Sequence, residues 1–155
     1  MEMSDNIEPV EYARILTNTL LKKLGFLEIH SVLHLENYEA GEMSVDIIKN
    51  DTQFPRANDA DMYIILDKYK ITGNVKNRPV FDIDTTIILL LETKEKIDDI
   101  FLTKFSKSTG KLIIYPYLRQ TVQDLTSKMG LPALSLPLWQ NPTTIKEEKK
   151  EAVPV

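Results

Sequence analysis

Apolar residues recur along the chain first with a helical period and then with a period of two. Between Pro9 and Leu24, Ala13, Leu16, Leu20 and Leu24 repeat at helical spacing, and Thr17 and Leu21 widen the stripe. Pro9 suits the first helical turn and Gly25 the position just past a helix end, so the spacing predicts an amphipathic helix over residues 9–24. The period then shortens. Leu27, Ile29, Leu33 and Leu35 alternate with Glu28, His30, Val32 and His34, the pattern of a strand with two unlike faces. Glu39-Ala40-Gly41 reads as a turn, after which Met43, Val45 and Ile47 share one strand face. The polar stretch from Asn50 to Asp59, containing Pro55, reads as a loop. Met62–Ile71 is strand-like and is followed by Gly73-Asn74. Val80–Thr93 is the longest strand candidate and becomes apolar on both faces over Ile87–Leu91.

Helical periodicity returns after Lys94. Ile97, Ile100, Phe101 and Phe105 predict a short helix or turn. Ile114, Leu118, Val122, Leu125 and Met129 predict a longer helix that stops at Gly130 and Pro132, with Pro116 near its beginning. Leu131–Trp139 is extended because of its two prolines. Residues 143–155 are charged and poor in apolar side chains, so they predict a disordered tail. Four strand candidates joined without helices imply an α+β fold. Its expected architecture is a four-stranded antiparallel meander with a long C-terminal helix on one side and an additional N-terminal helix. A single domain over residues 1–142 follows, comprising the helix at 1–25 and the sheet, main helix and proline-bearing segment at 26–139.

Composition narrows the function classes. The 155 residues include 23 acidic and 19 basic ones, a formal net charge of −4. That balance disfavours nucleic acid and anionic membrane as partners. The absence of cysteine removes disulfides, thiolate zinc sites and thiol nucleophiles, and fits a cytoplasmic location. The acidic start Met1-Glu2-Met3-Ser4-Asp5 is unlike a signal peptide, and no apolar run approaches the roughly 20 residues of a membrane span.

Candidate chemistry is sparse. His30 and His34 are the two histidines; on a strand they fall about 13 Å apart, too far for one metal ion. Asp82 and Asp84 share a strand face about 7 Å apart and form an acidic patch suited to docking a basic partner. Lys107-Ser108-Thr109-Gly110-Lys111 lacks the order of a phosphate-binding loop. No nucleophile elbow, dinucleotide loop or zinc pattern is present, so the sequence gives no reason to expect an enzyme or a cofactor. Apolar surface is what stands out: a strand with two apolar faces and the segment Leu131–Trp139. Together they point to an oligomer interface, to a groove for extended apolar peptide, or to both.

Tyr115-Pro116-Tyr117-Leu118-Arg119-Gln120, the helical run to Gly130, and then Leu131-Pro132-Ala133-Leu134-Ser135-Leu136-Pro137-Leu138 resemble the signature of the SecB-like chaperones. Tyr115 and Gln120 stand where that family usually has phenylalanine and glutamate, and no second apolar helix follows Asn141. The resemblance implies ATP-independent holding of non-native polypeptide by a homotetramer, a dimer of dimers with the main helices in its central interface. It implies no nucleotide or metal. It implies unfolded chains as clients and, as partners, either the secretion motor SecA or an antitoxin-like protein. A dedicated chaperone or adaptor for one partner is the alternative. On this resemblance Leu131, Leu134, Leu136, Leu138 and Trp139 line one groove wall. Phe81, Ile83, Ile87 and Leu89 either lie beneath it or are ordinary core. Leu118, Val122, Leu125 and Met129 form the helix–sheet or the subunit contact, and Asp82 and Asp84 are docking candidates.

Overall fold

The computed structural model describes residues 7–131 and 145–147. Its elements are helix α1 (Pro9–Thr17), strands β1 (Leu20–Leu33), β2 (Ser44–Gln53), β3 (Met62–Val75) and β4 (Arg78–Glu92), helix α2 (Asp99–Phe105), a π-helical turn (Ser106–Gly110), helix α3 (Lys111–Lys128) and a short strand β5 (Ile145–Glu147). The expected α+β fold is present, with four long antiparallel strands and helices at both ends of the chain.

The strand order is β1-β4-β3-β2-β5. β2, β3 and β4 are consecutive hairpin neighbours, as a meander requires. β1 instead crosses over and pairs with β4, which makes the topology a Greek key. Local periodicity carries no information about that long-range pairing. The β3–β4 turn lies at Lys76 and Asn77, both with positive φ, as a two-residue type I′ hairpin needs. Gly73 and Asn74, read as the close of a strand, remain within β3. Gly73 is there for space: a Cβ at this position would sit 2.1 Å from the Phe81 ring.

The N-terminal helix is shorter than its spacing predicts. Thr17 and Thr19 turn their hydroxyls back onto the carbonyls of Ala13 and Ile15, and the Asn18 amide bonds the Ile15 carbonyl. Such local bonds compete with further helix, and the chain leaves it at this point. Leu20–Leu24 belong to β1, paired against Glu92–Leu89 of β4. The buried side of α1 is Ile15, flanked by half-buried Tyr12 and Leu16.

α2, the π turn and α3 follow one another without a break. Pro116 therefore lies inside a helix instead of near its beginning. α2 is capped by the Asp98 carboxylate, which accepts from the Phe101 amide. α3 ends in a Schellman motif: Gly130, at φ +79°, bonds the Ser127 carbonyl, and the Leu131 amide bonds that of Thr126. The five residues Ser106–Gly110 and Lys111 are helical, so they form no phosphate cradle.

Burial alternates along β3 and β4. Ile65, Asp67, Tyr69 and Ile71, and Phe81, Ile83, Ile87, Leu89 and Leu91, lie on an inner face that joins Phe101, Phe105, Ile114, Leu118 and Val122 of the helices in one core. Tyr12 closes the layer, its ring against Phe101 and its hydroxyl 2.7 Å from Thr109 Oγ1. Among the described residues no helix is long and apolar enough to cross a membrane. Ile145–Glu147, within the stretch predicted to be a disordered tail, runs parallel to Ile47–Lys49 of β2.

Candidate polypeptide-binding surface

The apolar side chains that this fold leaves in solvent are concentrated at one edge. β1 pairs on one side with β4, and among the described residues nothing pairs with its other side. Its register shifts twice, between Leu21 and Lys23 and between Phe26 and Glu28. Bulges of this kind bend an edge strand and discourage indiscriminate pairing. Leu20, Leu27, Ile29 and Val32 along β1, and Leu35 and Tyr38 just beyond it, are exposed. Leu27 keeps 61% and Leu35 70% of its surface, far more than a folding core leaves open.

Leu35 and Tyr38 belong to the crossover from β1 to β2, whose first turn is a 3-10 helix at Leu35–Asn37. This crossover is fastened across the ends of β4 and β3. The His34 amide bonds the Val80 carbonyl, Asn37 Nδ2 donates to the Pro79 carbonyl, and Gly41 lies against Val75. The crossover, fastened in this way, leaves its two large apolar side chains exposed.

The outer face of the sheet carries further apolar side chains. Ile88 and Leu90 of β4 are half-buried there and pair in register with half-buried Leu66 and Ile64 of β3. On β1 the residues opposite Ile88 and Leu90 are Gly25 and Lys23. The other half of the outer face is charged: Asp82, Asp84, Lys68 and Lys70 alternate there, and His30 stands opposite Asp84. Near it, a 180 Å³ cleft is bordered by Glu28, His30, Lys68 and Asp84. A larger cavity of 360 Å³, lined by Phe54, Tyr63, Ile64, Ile97 and Leu102 with Arg56 and Asp99, opens where the chain leaves β2.

Asp82 is held in place. His34 Nε2 lies 2.8 Å from one carboxylate oxygen, and Thr72 donates to the other at 2.9 Å. Partial burial pushes the Asp82 carboxyl upward, but the bonds from His34 and Thr72 and the nearby Lys70 charge outweigh it and hold the group below its ordinary range. Asp84 is exposed. Of the two docking candidates, Asp84 is therefore open to a partner, whereas Asp82 anchors the base of the crossover through His34. Sequence reading could not tie a histidine to this pair, because His34 reaches it only through the β1–β4 pairing.

The remaining expected site residues divide sharply. Phe81, Ile83, Ile87 and Leu89 are fully buried, which places them in the core and not on a groove floor. Leu118 and Val122 are also fully buried, packed between helix and sheet, so they offer no surface to a second subunit. Leu125 and Met129 are half-buried at the rim of that core. Leu131 is buried by the Schellman turn, and Leu134, Leu136, Leu138 and Trp139 lie outside the described residues. The exposed set on β1 and the crossover was not singled out in advance. Its signal was present: Leu27, Ile29, Val32 and Leu35 put apolar residues on both faces of a strand that also carries Glu28, His30 and Ser31.

One buried polar cluster lies behind the surface. Asp67 sits on the inner face of β3, accepts from Thr52 and Ser106, and faces Lys49 Nζ at 3.4 Å, while Lys49 also donates to Ser106. Burial pushes the Asp67 carboxyl above its ordinary range, against the opposing pull of Lys49 and the two hydroxyls. The cluster pins the first residue of the π turn to the sheet. All three core members are closed off from solvent, so it offers no substrate access. Among the described residues no group of three or more acidic or histidine side chains could hold a metal ion.

No family model matches the chain. Two SecB-like chaperones of Mycobacterium tuberculosis, Rv1957 of strain H37Rv and MT2006 of strain Oshkosh, are each 39% identical to it over 44 residues, 28% of this chain and 24% of the relative. The matched stretch thus spans about a quarter of those relatives' length. Among solved structures, the Mycobacterium tuberculosis Rv1957 SecB-like chaperone, in complex with a ChAD peptide from the Rv1956 HigA1 antitoxin, superposes with a TM-score of 0.68 at 20% identity. That match covers 82% of this chain and 95% of the other. The chain has the SecB-like fold. The expected SecB-like architecture is therefore matched by a solved structure, and a stretch of 44 residues of the chain matches SecB-like chaperones in sequence.

Proposed function

We propose that this SecB-like protein is an ATP-independent chaperone that holds extended, non-native stretches of polypeptide on the apolar surface formed by β1, the crossover and the outer sheet face. The single observation that carries the reading is the exposure of Leu27, Ile29, Val32, Leu35 and Tyr38 along one edge of an otherwise well-packed domain. Chains that have not folded expose apolar side chains on flexible backbone, and such a surface binds them without any nucleotide. The formal charge of −4 supports solubility of the loaded complex. Assembly into a small homo-oligomer, a dimer of dimers in the family pattern, would multiply weak sites into useful avidity. A cytoplasmic location fits this role.

A second reading is favoured by one specific observation. The solved structure that this fold matches at a TM-score of 0.68 holds an antitoxin peptide. On that reading the same surface serves one dedicated partner, and SecA plays no part.

Native mass determination of the purified chain, alone and mixed with a permanently unfolded model protein, separates these readings. General holding predicts a small oligomer that captures the unfolded chain without ATP. An oligomer that ignores every unfolded chain offered would overturn general holding and leave the dedicated reading.

A further inference from the structure

The two edges of the sheet are handled differently. β1 carries two register shifts, and among the described residues no strand pairs with its outer side. β2, the opposite edge, has β5 beside it: Ile47 stands opposite Ile145, Ile48 opposite Lys146 and Lys49 opposite Glu147. This is the one parallel pairing among the described strands; all the others are antiparallel. It is also the shortest strand, covering three of the ten residues of β2. Among the described residues, no strand pairs with the outer side of Ser44–Asp46 or Asn50–Gln53.

A three-residue parallel ladder has little affinity of its own. The net gain of a few backbone hydrogen bonds is comparable to the entropy lost in ordering the residues that make them. What keeps such a strand in place is its tether, which raises its local concentration to the order of millimolar. A longer extended segment arriving from outside could bond more of β2 and displace it. Strand addition of this kind draws its affinity from the main chain, so it tolerates many sequences and takes modest specificity from register positions such as the one facing Ile47.

We propose that the outer edge of β2 is a strand-acceptor site for an extended stretch of client polypeptide, and that the chain's own Ile145–Glu147 keeps this site closed until a longer strand displaces it. The proposal rests on the polypeptide-holding reading. It adds a second station, on the far edge of the sheet from β1, and an internal competitor that suppresses binding of short or weak segments. The crossover that carries Leu35 and Tyr38 leads from one station to the other.

The test uses the full chain with two successive prolines, Ile145→Pro with Lys146→Pro. Proline removes ladder donors, and β5 pairs with β2 through three residues only, so the four long strands keep their own pairing. Hydrogen exchange over Ser44–Gln53 and the affinity for a fluorescently labelled, permanently unfolded protein are measured for both chains. Faster exchange at Ile47–Lys49 together with roughly 2- to 10-fold tighter binding in the variant is the expected result. A synthetic peptide of residues 143–150 added in excess should return the variant to the wild-type affinity. Unchanged exchange would show that the tail does not cover β2, and unchanged affinity beside faster exchange would show that the covered edge is not where clients bind. Either result overturns the proposal while leaving the holding reading intact. If neither chain binds the unfolded protein, the holding reading itself fails and the competitor role falls with it.

Discussion

Ile87 and Leu35 are similar in size and chemistry, yet the fold treats them oppositely. Ile87 sits on the inner face of β4 with no exposed surface, enclosed by the helices, whereas Leu35 keeps 70% of its surface on the crossover. The same contrast runs through the whole molecule: Ile83, Leu89, Leu118 and Val122 against Leu20, Leu27, Ile29 and Val32. Apolar side chains of the first group stabilise the fold by leaving water. Those of the second group keep a large share of their surface in water, and so remain available to whatever binds. The division teaches that stability and binding occupy different apolar sets in this chain and can be perturbed separately.

The largest effect tests the polar support of the inner face. Asp67→Asn takes away the carboxylate facing buried Lys49 and weakens the grip on Ser106, and should cost about 3–5 kcal/mol in urea unfolding. A loss below 1 kcal/mol would mean that the cluster does not hold the π turn to the sheet. Next comes Ile87→Ala, which leaves a cavity under the helices and should cost about 2–5 kcal/mol, while client affinity of the folded fraction stays at the wild-type level. Weakened binding by a folded Ile87→Ala protein would blur the comparison, because it would make an inner-face residue part of the binding surface.

A smaller, pH-dependent effect probes the anchor of the crossover. The Asp82 carboxyl lies below its ordinary range in the folded chain, so its pairing with His34 stabilises the fold above about pH 4 and is lost as pH falls through the lowered value. Asp82→Asn should therefore cost about 1–2 kcal/mol at pH 7, and the gap to wild type should narrow as pH falls below about 4. A gap that stays constant with pH would show that His34 does not depend on the Asp82 charge. The smallest effect on stability belongs to the exposed set. Leu27→Ser and Leu35→Ser should each change unfolding free energy by no more than about 0.5 kcal/mol.

Much of the fold was legible in the sequence, and the reasons differ by element. Val80–Thr93 and Met62–Ile71 announce themselves by period-two alternation, and α3 by Ile114, Leu118 and Val122 followed by Gly130. The start of β1 did not, since Leu16, Leu20 and Leu24 fit a helical stripe equally well. The break came from Thr17–Thr19 turning onto the backbone and from pairing with Glu92, more than seventy residues away. Period two also says which residues share a face but not which face the helices will cover. Phe81, Ile83, Ile87 and Leu89 could therefore be read as groove or core from the pattern, and only packing assigned them to the core. Lys49 and Asp67 left a usable trace, each being an ionisable residue at an otherwise apolar position of its strand. Their partnership, with Ser106 between them, required the tertiary fold.

The most direct test of the central claim is a binding titration of a labelled, permanently unfolded protein against wild type, the double variant Leu27→Ser with Leu35→Ser, and Val10→Ser as a control on the exposed side of α1, with native mass followed in parallel. The account predicts at least a tenfold loss of affinity for the double variant, wild-type affinity for Val10→Ser, and no change in stability for either. A double variant that binds as tightly as wild type, most plainly one that also loses its oligomeric state, would contradict the account and assign this apolar edge to subunit contact alone.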